Sequence, residues 1–349
     1  MNRQNVAIFF GGISSEYSVS LESAYSVISN LNPEKYTAVP VGISPEGRWF
    51  YFTGTPEKIR QDTWCNDIDC IPAALSPNRG AHQLLLFLPD RTETVTLDAA
   101  FPVMHGKGGE DGTLQGLIEM AGIPLVGCGV LASALCMDKD RAHRLAQAAG
   151  VTVPRALSIR AGYDTSSVLA FAEHIDYPLF VKPVKAGSSY GVTKVQQADD
   201  LLPAIALAFQ YDDTVILEEN IDGFEVGCAI MGYDELTVGE VDEIELSGGF
   251  FDFTEKYTLK TSAIHVPARI DSATAERIKQ TARTLYRALG CSGFARVDMF
   301  LTPDGRIVFN EINTIPGFTE HSRFPGMMKA AGISFPEIID HLIQEAMTL

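Results

Sequence analysis

Asp298, Glu311 and Asn313 put hard oxygen side chains inside two apolar, strand-prone runs, Phe294 to Thr302 and Arg306 to Ile312, which flank the turn triplet Pro303-Asp304-Gly305. Two such runs around such a turn predict an antiparallel hairpin. Asp298 then falls roughly opposite Glu311 and Asn313, and the period-two alternation of a strand puts those last two on one face. A lone strand carboxylate usually faces solvent. Acids set among apolar neighbours, however, cost several kcal/mol to bury without a counter-charge. Two carboxylates and an amide, with no paired His or Cys, suit Mg²⁺ or Mn²⁺, which take oxygen ligands and share their sphere with phosphates. Arg296 adds a fixed cation, and the turn Asn313-Thr314-Ile315-Pro316-Gly317 offers backbone N–H groups to an anion.

A second constellation starts at Pro178-Leu179-Phe180-Val181, a buried strand that ends in Lys182 and runs into Lys185-Ala186-Gly187-Ser188-Ser189-Tyr190-Gly191. A plain hairpin turn needs neither the lysine nor two serines. A triphosphate needs both, the lysine for its inner phosphates and the loop's N–H and hydroxyl groups for the outer ones. Thr214 to Leu217 is a strand ending in Glu218-Glu219-Asn220-Ile221, and after Gly223 the chain resumes as Phe224 to Met231. Acids at a strand end fit either an adenine and ribose pocket, with Glu225 on the ribose hydroxyls, or simple solvation. The segment Ser247 to Ser262, with Lys256, Tyr257 and Lys260, is too long for a hairpin turn and suggests an active-site lid.

These groups need elements to hold them. Asn5 to Phe10, a helix with Leu21, Ala24, Ile28 and Leu31 at helical spacing, and Tyr36 to Ile43 read as a βαβ opening. Its Gly11-Gly12 turn lacks the G-x-G-x-x-G spacing of a dinucleotide loop, which excludes a nicotinamide cofactor. Glu16 in that turn has a simple dipole-stabilising role at a helix start. Leu84 to Leu88 and Val95 to Leu97 predict a hairpin, and Phe101 to Met104 a strand that delivers His105 to a Gly-rich loop before the helix Thr113 to Ala121. One helix is expected from Leu131 to Ala149, then a strand over Val151 to Ile159, a helix over Val168 to Ile175, and a strand over Val238 to Leu246. Helices over Ala275 to Leu289 and Phe335 to Met347 complete the chain.

The fold class is α/β, and 349 residues exceed one ordinary core. A net charge of -17 argues against nucleic acid and anionic lipid as partners and for small-molecule chemistry. No signal-peptide pattern or bilayer-length apolar run is present, so a cytoplasmic protein without a membrane partner is expected. The six cysteines show no CxxC pairing and read as small core residues.

The series GGISSEYSVSLES, HGKGGEDGTLQG, ASALCMDKDRAH, FVKPVKAGSSYGVTKV, FDFTEKY, ARVDMF and NEINTIPGFTEHSRFP resembles the D-alanine:D-alanine ligase family of the ATP-grasp fold, along essentially the whole chain and in the family's order. Within it the motifs are most similar to the D-alanine:D-serine ligases of vancomycin resistance, of the VanG and VanC type. The resemblance implies an N-terminal α/β domain over 1–129, a central ATP-grasp domain over 130–222 and a C-terminal one over 223–349, with an omega loop at about 247–262 and ATP between the last two sheets. ATP would phosphorylate the first D-alanine, and the amine of the second amino acid would attack the acyl phosphate.

Carried over by that likeness, Lys139 and Lys182 meet the phosphates and the loop with Ser188 and Ser189 covers them. Glu218, Glu219, Ile221, Glu225 and Asn310 belong to the ATP pocket. Asp298, Glu311 and Asn313 hold two Mg²⁺ or Mn²⁺ ions, Arg296 steadies the transferred phosphoryl group, and the Gly317 N–H helps bind the oxyanion. Glu16 becomes the residue for the first D-alanine ammonium, in a triad with Ser188 and Tyr257, which replaces its dipole reading. His105 is implied near the first carboxylate, Lys256 at the γ-phosphate and Ser322 at the second carboxylate. Arg323 stands where ordinary members carry an apolar residue or Met and resistance-type members Arg, so it is expected beside the second-substrate pocket, or else paired with a surface acid such as Glu320. The Lys256-Tyr257 pair disfavours D-lactate. The expected partners are D-alanine and D-serine and, in solution, a second copy as a homodimer. Normal D-alanine:D-alanine synthesis and a non-catalytic nucleotide-binding module are the alternatives.

Overall fold

A computed structural model describes residues 3–246 and 262–348. Three sheets follow one another along the chain. The first has seven strands: β1 (Gln4–Gly11), β2 (Tyr36–Ile43), β3 (Trp49–Phe52), β4 (Cys70–Leu75), β5 (Gln83–Phe87), β6 (Thr92–Thr96) and β7 (Ala99–Pro102), in the order β6-β5-β4-β3-β2-β1-β7. β1 pairs in parallel with both β2 and β7, and the crossover to β2 is α1 (Tyr17–Asn30). The βαβ opening is therefore present. Its antiparallel extension through β3 and β4, with the short α2 (Pro56–Arg60) between them, is not evident from periodicity, because Trp49–Phe52 is aromatic throughout. α3 (Thr113–Ala121) follows the Gly-rich loop.

The helix expected over Leu131 to Ala149 is two helices, α4 (Val130–Met137) and α5 (Lys139–Ala148). Asp138 breaks it. That residue takes an extended conformation and its carboxylate accepts the Arg141 N–H at 3.0 Å, so it caps α5 and turns Lys139 off the axis of α4. The strand expected from Val151 starts only at β8 (Ala156–Arg160); the Thr152 carbonyl instead accepts from the Phe309 N–H, 2.9 Å away in the third sheet. α6 (Thr165–Ile175), β9 (Leu179–Pro183), β10 (Thr193–Val195), α7 (Leu201–Ala208) and β11 (Thr214–Glu219) complete the second sheet, which is antiparallel in the order β10-β9-β11-β8.

The third sheet comprises β12 (Phe224–Met231), β13 (Thr237–Val238), β14 (Asp242–Leu246), β15 (Ser262–His265), β16 (Phe294–Leu301) and β17 (Ile307–Asn313). The single strand expected over Val238 to Leu246 is divided into β13 and β14 around Gly239, whose backbone lies against Met327. α8 (Ser272–Ala288) and α9 (Arg323–Ala330) pack on it, and α10 (Phe335–Thr348) lies against α9, α1 and β7. The cores are shared unequally. Phe101 of β7 lies within 6.0 Å of Phe294 and 5.6 Å of Phe318, and Ile8, Phe10, Leu21 and Trp64 join Phe324, Phe335 and Leu342 in one apolar cluster. Ala132, Cys136, Ala142 and Ala146 of α4 and α5 pack with the third sheet. The second sheet buries Val181, Val195, Val215 and Leu217 among α6 and α7 alone.

Candidate active site

The hairpin with the three oxygen side chains forms as its sequence indicates, with one addition. β16 and β17 pair with Asp298 opposite Glu311 and Arg296 opposite Asn313, but the register shifts so that Met299 faces Phe309 and Asn310 has no counterpart. This bulge aims the side chains of two consecutive residues, Asn310 and Glu311, at one cavity, which an unbroken strand could not do. Asn313 Nδ2 donates to Asp298 Oδ2 at 2.9 Å. Asp298 is buried, yet its counter-charges are protein groups: Arg296 donates to both carboxylate oxygens at 2.7–3.1 Å and Arg323 Nη2 lies 3.4 Å away. The counter-charge that such a burial requires is thus supplied by two guanidinium groups, of which Arg296 was expected. Among the described residues no group of three or more His, Cys, Asp or Glu side chains is arranged to hold an ion. Two carboxylates and an amide on adjoining strands still fit a hard divalent cation that takes its remaining oxygens from a phosphate.

Two cavities meet here. One, about 550 Å³, lies between the second and third sheets and is lined by Phe180, Lys182, Ser189, Glu218, Ile221 and Asn310. The other, about 1050 Å³, extends from the β16–β17 hairpin past Glu16 and His105 to Ser322. Lys139, Ala186, Ser188 and Glu311 line both. Lys139 Nζ donates to the Ala186 carbonyl at 3.0 Å and lies 3.7 Å from Glu311. Lys182 Nζ is 2.6 Å from Glu218 Oε2 and 5.4 Å from the centre of the Phe180 ring. Burial raises the Glu218 acid, but the Lys182 and His143 charges outweigh it and hold the group below the usual carboxylate range. Glu219 also borders this cavity, with its carboxylate committed to Arg155 at 2.6 Å, and Glu225 gives one oxygen to Arg323 at 2.8 Å rather than leaving both for a ribose.

On the other side, Ser188 donates to Glu16, and Gly106 and Gly187 close round the same carboxylate: a Cβ on either would lie 2.5 Å from Glu16 Oε2. Gly106 also sits at φ +74°, so both space and backbone require glycine there. His105 is buried, with Nε2 2.9 Å from Ser23 Oγ and Nδ1 2.9 Å from the Ile315 carbonyl. A carbonyl only accepts, so Nδ1 carries the hydrogen and Nε2 accepts from the serine; burial lowers the affinity of this ring for a second proton. His105 therefore positions the turn ahead of Gly317 as well as lining the cavity. Ser322 Oγ accepts the Thr319 N–H at 3.1 Å and lies beside Gly317.

Arg323 sits in neither of its expected places alone. It is buried at the cavity wall, with Nε and Nη2 on Asp242 at 2.7 and 2.8 Å and Nη1 on Glu225, so its partners are interior acids and not Glu320. Lys256 and Tyr257, with the segment proposed as a lid, lie outside the described residues. Sequence reasoning missed three groups. Glu110 accepts the Gly106 N–H at 2.7 Å and the Ile315 N–H at 3.2 Å, and burial beside Glu16 pushes its carboxyl up to about 8. Its signal was available, as an acid in the Gly-rich loop after His105. Asp242 and His143 gave none, since each reads as an ordinary strand or helix residue.

Comparison with known proteins extends this geometry. Family profiles described as D-ala D-ala ligase N-terminus and D-ala D-ala ligase C-terminus match residues 5–128 and 145–344. The chain is 46% identical over 348 residues to the vancomycin B-type resistance protein VanB of Enterococcus faecalis, covering 98% of each. It is 44% identical over 345 residues to the vancomycin C-type resistance protein VanC1 of Enterococcus gallinarum, covering 97% of each. Among solved structures, the VanG D-Ala:D-Ser ligase from Enterococcus faecalis superposes with a TM-score of 0.92 at 53% identity, over 99% of this chain and 100% of that one.

Proposed function

The chain belongs to the D-alanine:D-alanine ligase family, ATP-dependent enzymes of cell-wall precursor synthesis and vancomycin resistance, and from that premise we propose that it joins D-alanine to D-serine. The observation that carries this reading is the junction of the two cavities at Lys139, Ser188 and Glu311, where a nucleotide's terminal phosphate and an amino-acid carboxylate can share an edge. A carboxylate is a poor electrophile, so the first step transfers phosphate to D-alanine, held by its ammonium at Glu16. Lys139 and Lys182, held beside Glu311 and Glu218, reach the phosphate oxygens, and Ser188 and Ser189 cover the outer phosphates. Two Mg²⁺ or Mn²⁺ ions on Asp298, Glu311 and Asn313 would neutralise charge that builds on the phosphates. Arg296 and the Gly317 N–H would stabilise the oxyanion that forms when the second amine attacks the acyl phosphate, before the amine's proton is lost and phosphate leaves.

D-Serine as the second substrate is supported by the likeness to the VanG structure and by Arg323. Arg323 is held against the cavity wall beside Ser322 by a bidentate bond to Asp242. A hydroxyl that meets this polar pair is rewarded, whereas an apolar wall could not tell it from a methyl. The test is a competition of equal D-alanine and D-serine with ATP and Mg²⁺, reading the dipeptides formed. D-Alanyl-D-serine as the main product supports the assignment; D-alanyl-D-alanine as the main product near neutral pH makes this a housekeeping ligase.

A further inference from the structure

We infer that His143 is a positioning residue that ties the nucleotide-binding strand ends to the bulge carrying Glu311, an inference that rests on the nucleotide pocket proposed above. His143 and Lys139 stand four residues apart on α5 and so share a face. That face grips two consecutive residues of the β17 bulge, Lys139 Nζ facing Glu311 at 3.7 Å and His143 Nε2 donating to the Asn310 carbonyl at 2.9 Å. Asn310 is the residue that the register shift leaves without a partner on β16, so the imidazole holds the backbone where the ladder cannot.

The other edge of the ring faces the second sheet. Nδ1 lies 3.7 Å from Glu218 Oε1, and both atoms are buried with no hydrogen-bond partner, while Glu218 Oε2 holds Lys182. The two atoms face each other too far apart for a hydrogen bond but within ion-pair reach when the ring is protonated, and such an arrangement calls for a reason. Here the reason is alignment: any shift of Glu218 moves Lys182 with it, and the ring fixes how far Glu218 stands from the strand of Glu311. The ring itself is seated edge-to-face on Phe309, centroids 5.5 Å apart. One side chain thus sets the spacing between the sheets that hold the two ends of the nucleotide.

The test compares full-length native enzyme with His143→Phe, which keeps an aromatic ring on Phe309 but loses both nitrogens, and with His143→Gln, which keeps a donor for Asn310. Steady-state KM for ATP and for D-alanine, kcat and thermal unfolding are measured for each. The expected result for His143→Phe is a KM for ATP raised about tenfold with the KM for D-alanine nearly unchanged, and recovery of at least part of that loss in His143→Gln. An unchanged KM for ATP overturns the inference, and so does a parallel loss in every parameter together with the unfolding temperature, which marks a purely structural role. If His143→Phe does not fold, His143→Asn, too short to reach both partners, replaces it under the same criteria. Lys182→Met separates the two readings: if it leaves ATP affinity intact the nucleotide pocket itself is misplaced, whereas if it weakens ATP and His143→Phe does not, only the inference about His143 fails.

Discussion

The Ser188 hydroxyl donates to the Glu16 carboxylate across 172 residues of chain, joining the loop after β9 to the start of α1. The loop proposed to cover phosphate and the residue proposed to hold an amino group are therefore one hydrogen-bonded unit, and either can report on the other.

Gly187 is the point at which that unit has no slack. Gly187→Ala would set a methyl 2.5 Å from Glu16 Oε2, so the loop or the carboxylate must move. A displacement of this size at a reacting centre costs about a hundredfold. We expect kcat/KM for D-alanine to fall by that order with little change in the unfolding temperature. Native-like kinetics would show that Glu16 does not hold this geometry during turnover.

Glu311 borders both cavities and lies opposite Asp298, and in the proposed reaction it would stand between the groups on either side of the breaking phosphate bond. Glu311→Gln keeps its shape and removes a charge. The expected fall in kcat is at least about a hundredfold at unchanged stability. Turnover close to native at saturating Mg²⁺ would remove Glu311 from the metal site.

Arg323→Met has two separable consequences. In the competition assay it shifts product from D-alanyl-D-serine towards D-alanyl-D-alanine, by about ten- to a hundredfold in selectivity if one charge-assisted bond is lost. It also strands Asp242 in the interior, while Asp298 keeps Arg296, and breaking a buried ion pair from one side costs about 3–5 kcal/mol. A lower unfolding temperature is therefore expected. A destabilised variant with native product ratios would leave Arg323 a structural counter-ion and no more.

Glu110 gives a pH signature. Its carboxyl is raised from an ordinary value near 4.5 to about 8, chiefly by burial and then by Glu16, so the folded state prefers it protonated. The stability it contributes is complete below the unfolded value and is lost as pH rises through about 8. Glu110→Gln cannot ionise. The unfolding temperature of the variant should therefore gain on the native protein between about pH 5 and pH 8. Parallel curves over that range would mean that Glu110 is ionised in the fold without cost.

Much of this was legible in the sequence because strand and helix periodicity is local. The hairpin, the Asp298 and Glu311 pairing, the Lys182 strand and the final helix follow from residues within a few positions of one another. What was not legible depends on partners far along the chain. Asp138 interrupts a helical pattern because capping α5 with its carboxylate competes with continuing α4. The bulge at Asn310 has no sequence signal, since His143 holds its carbonyl from 167 residues away. The fate of Arg323 was missed in the same way, because its chief partner, Asp242, stands 81 residues upstream at the start of β14.

The unequal sharing of cores has a mechanical consequence. The first and third sheets are cemented by Phe101, Phe294 and Phe318, so they form a rigid frame that cannot flex without breaking aromatic packing. The second sheet keeps its apolar residues to itself and bears on the frame through polar contacts such as Ser188 to Glu16 and Lys139 to Ala186. Among the described residues this sheet has the fewest apolar ties to the other two, and its rim carries Lys182 and the serine loop. If a nucleotide binds between the second and third sheets as proposed, its grip falls on a polar seam that water can reopen rather than on apolar packing.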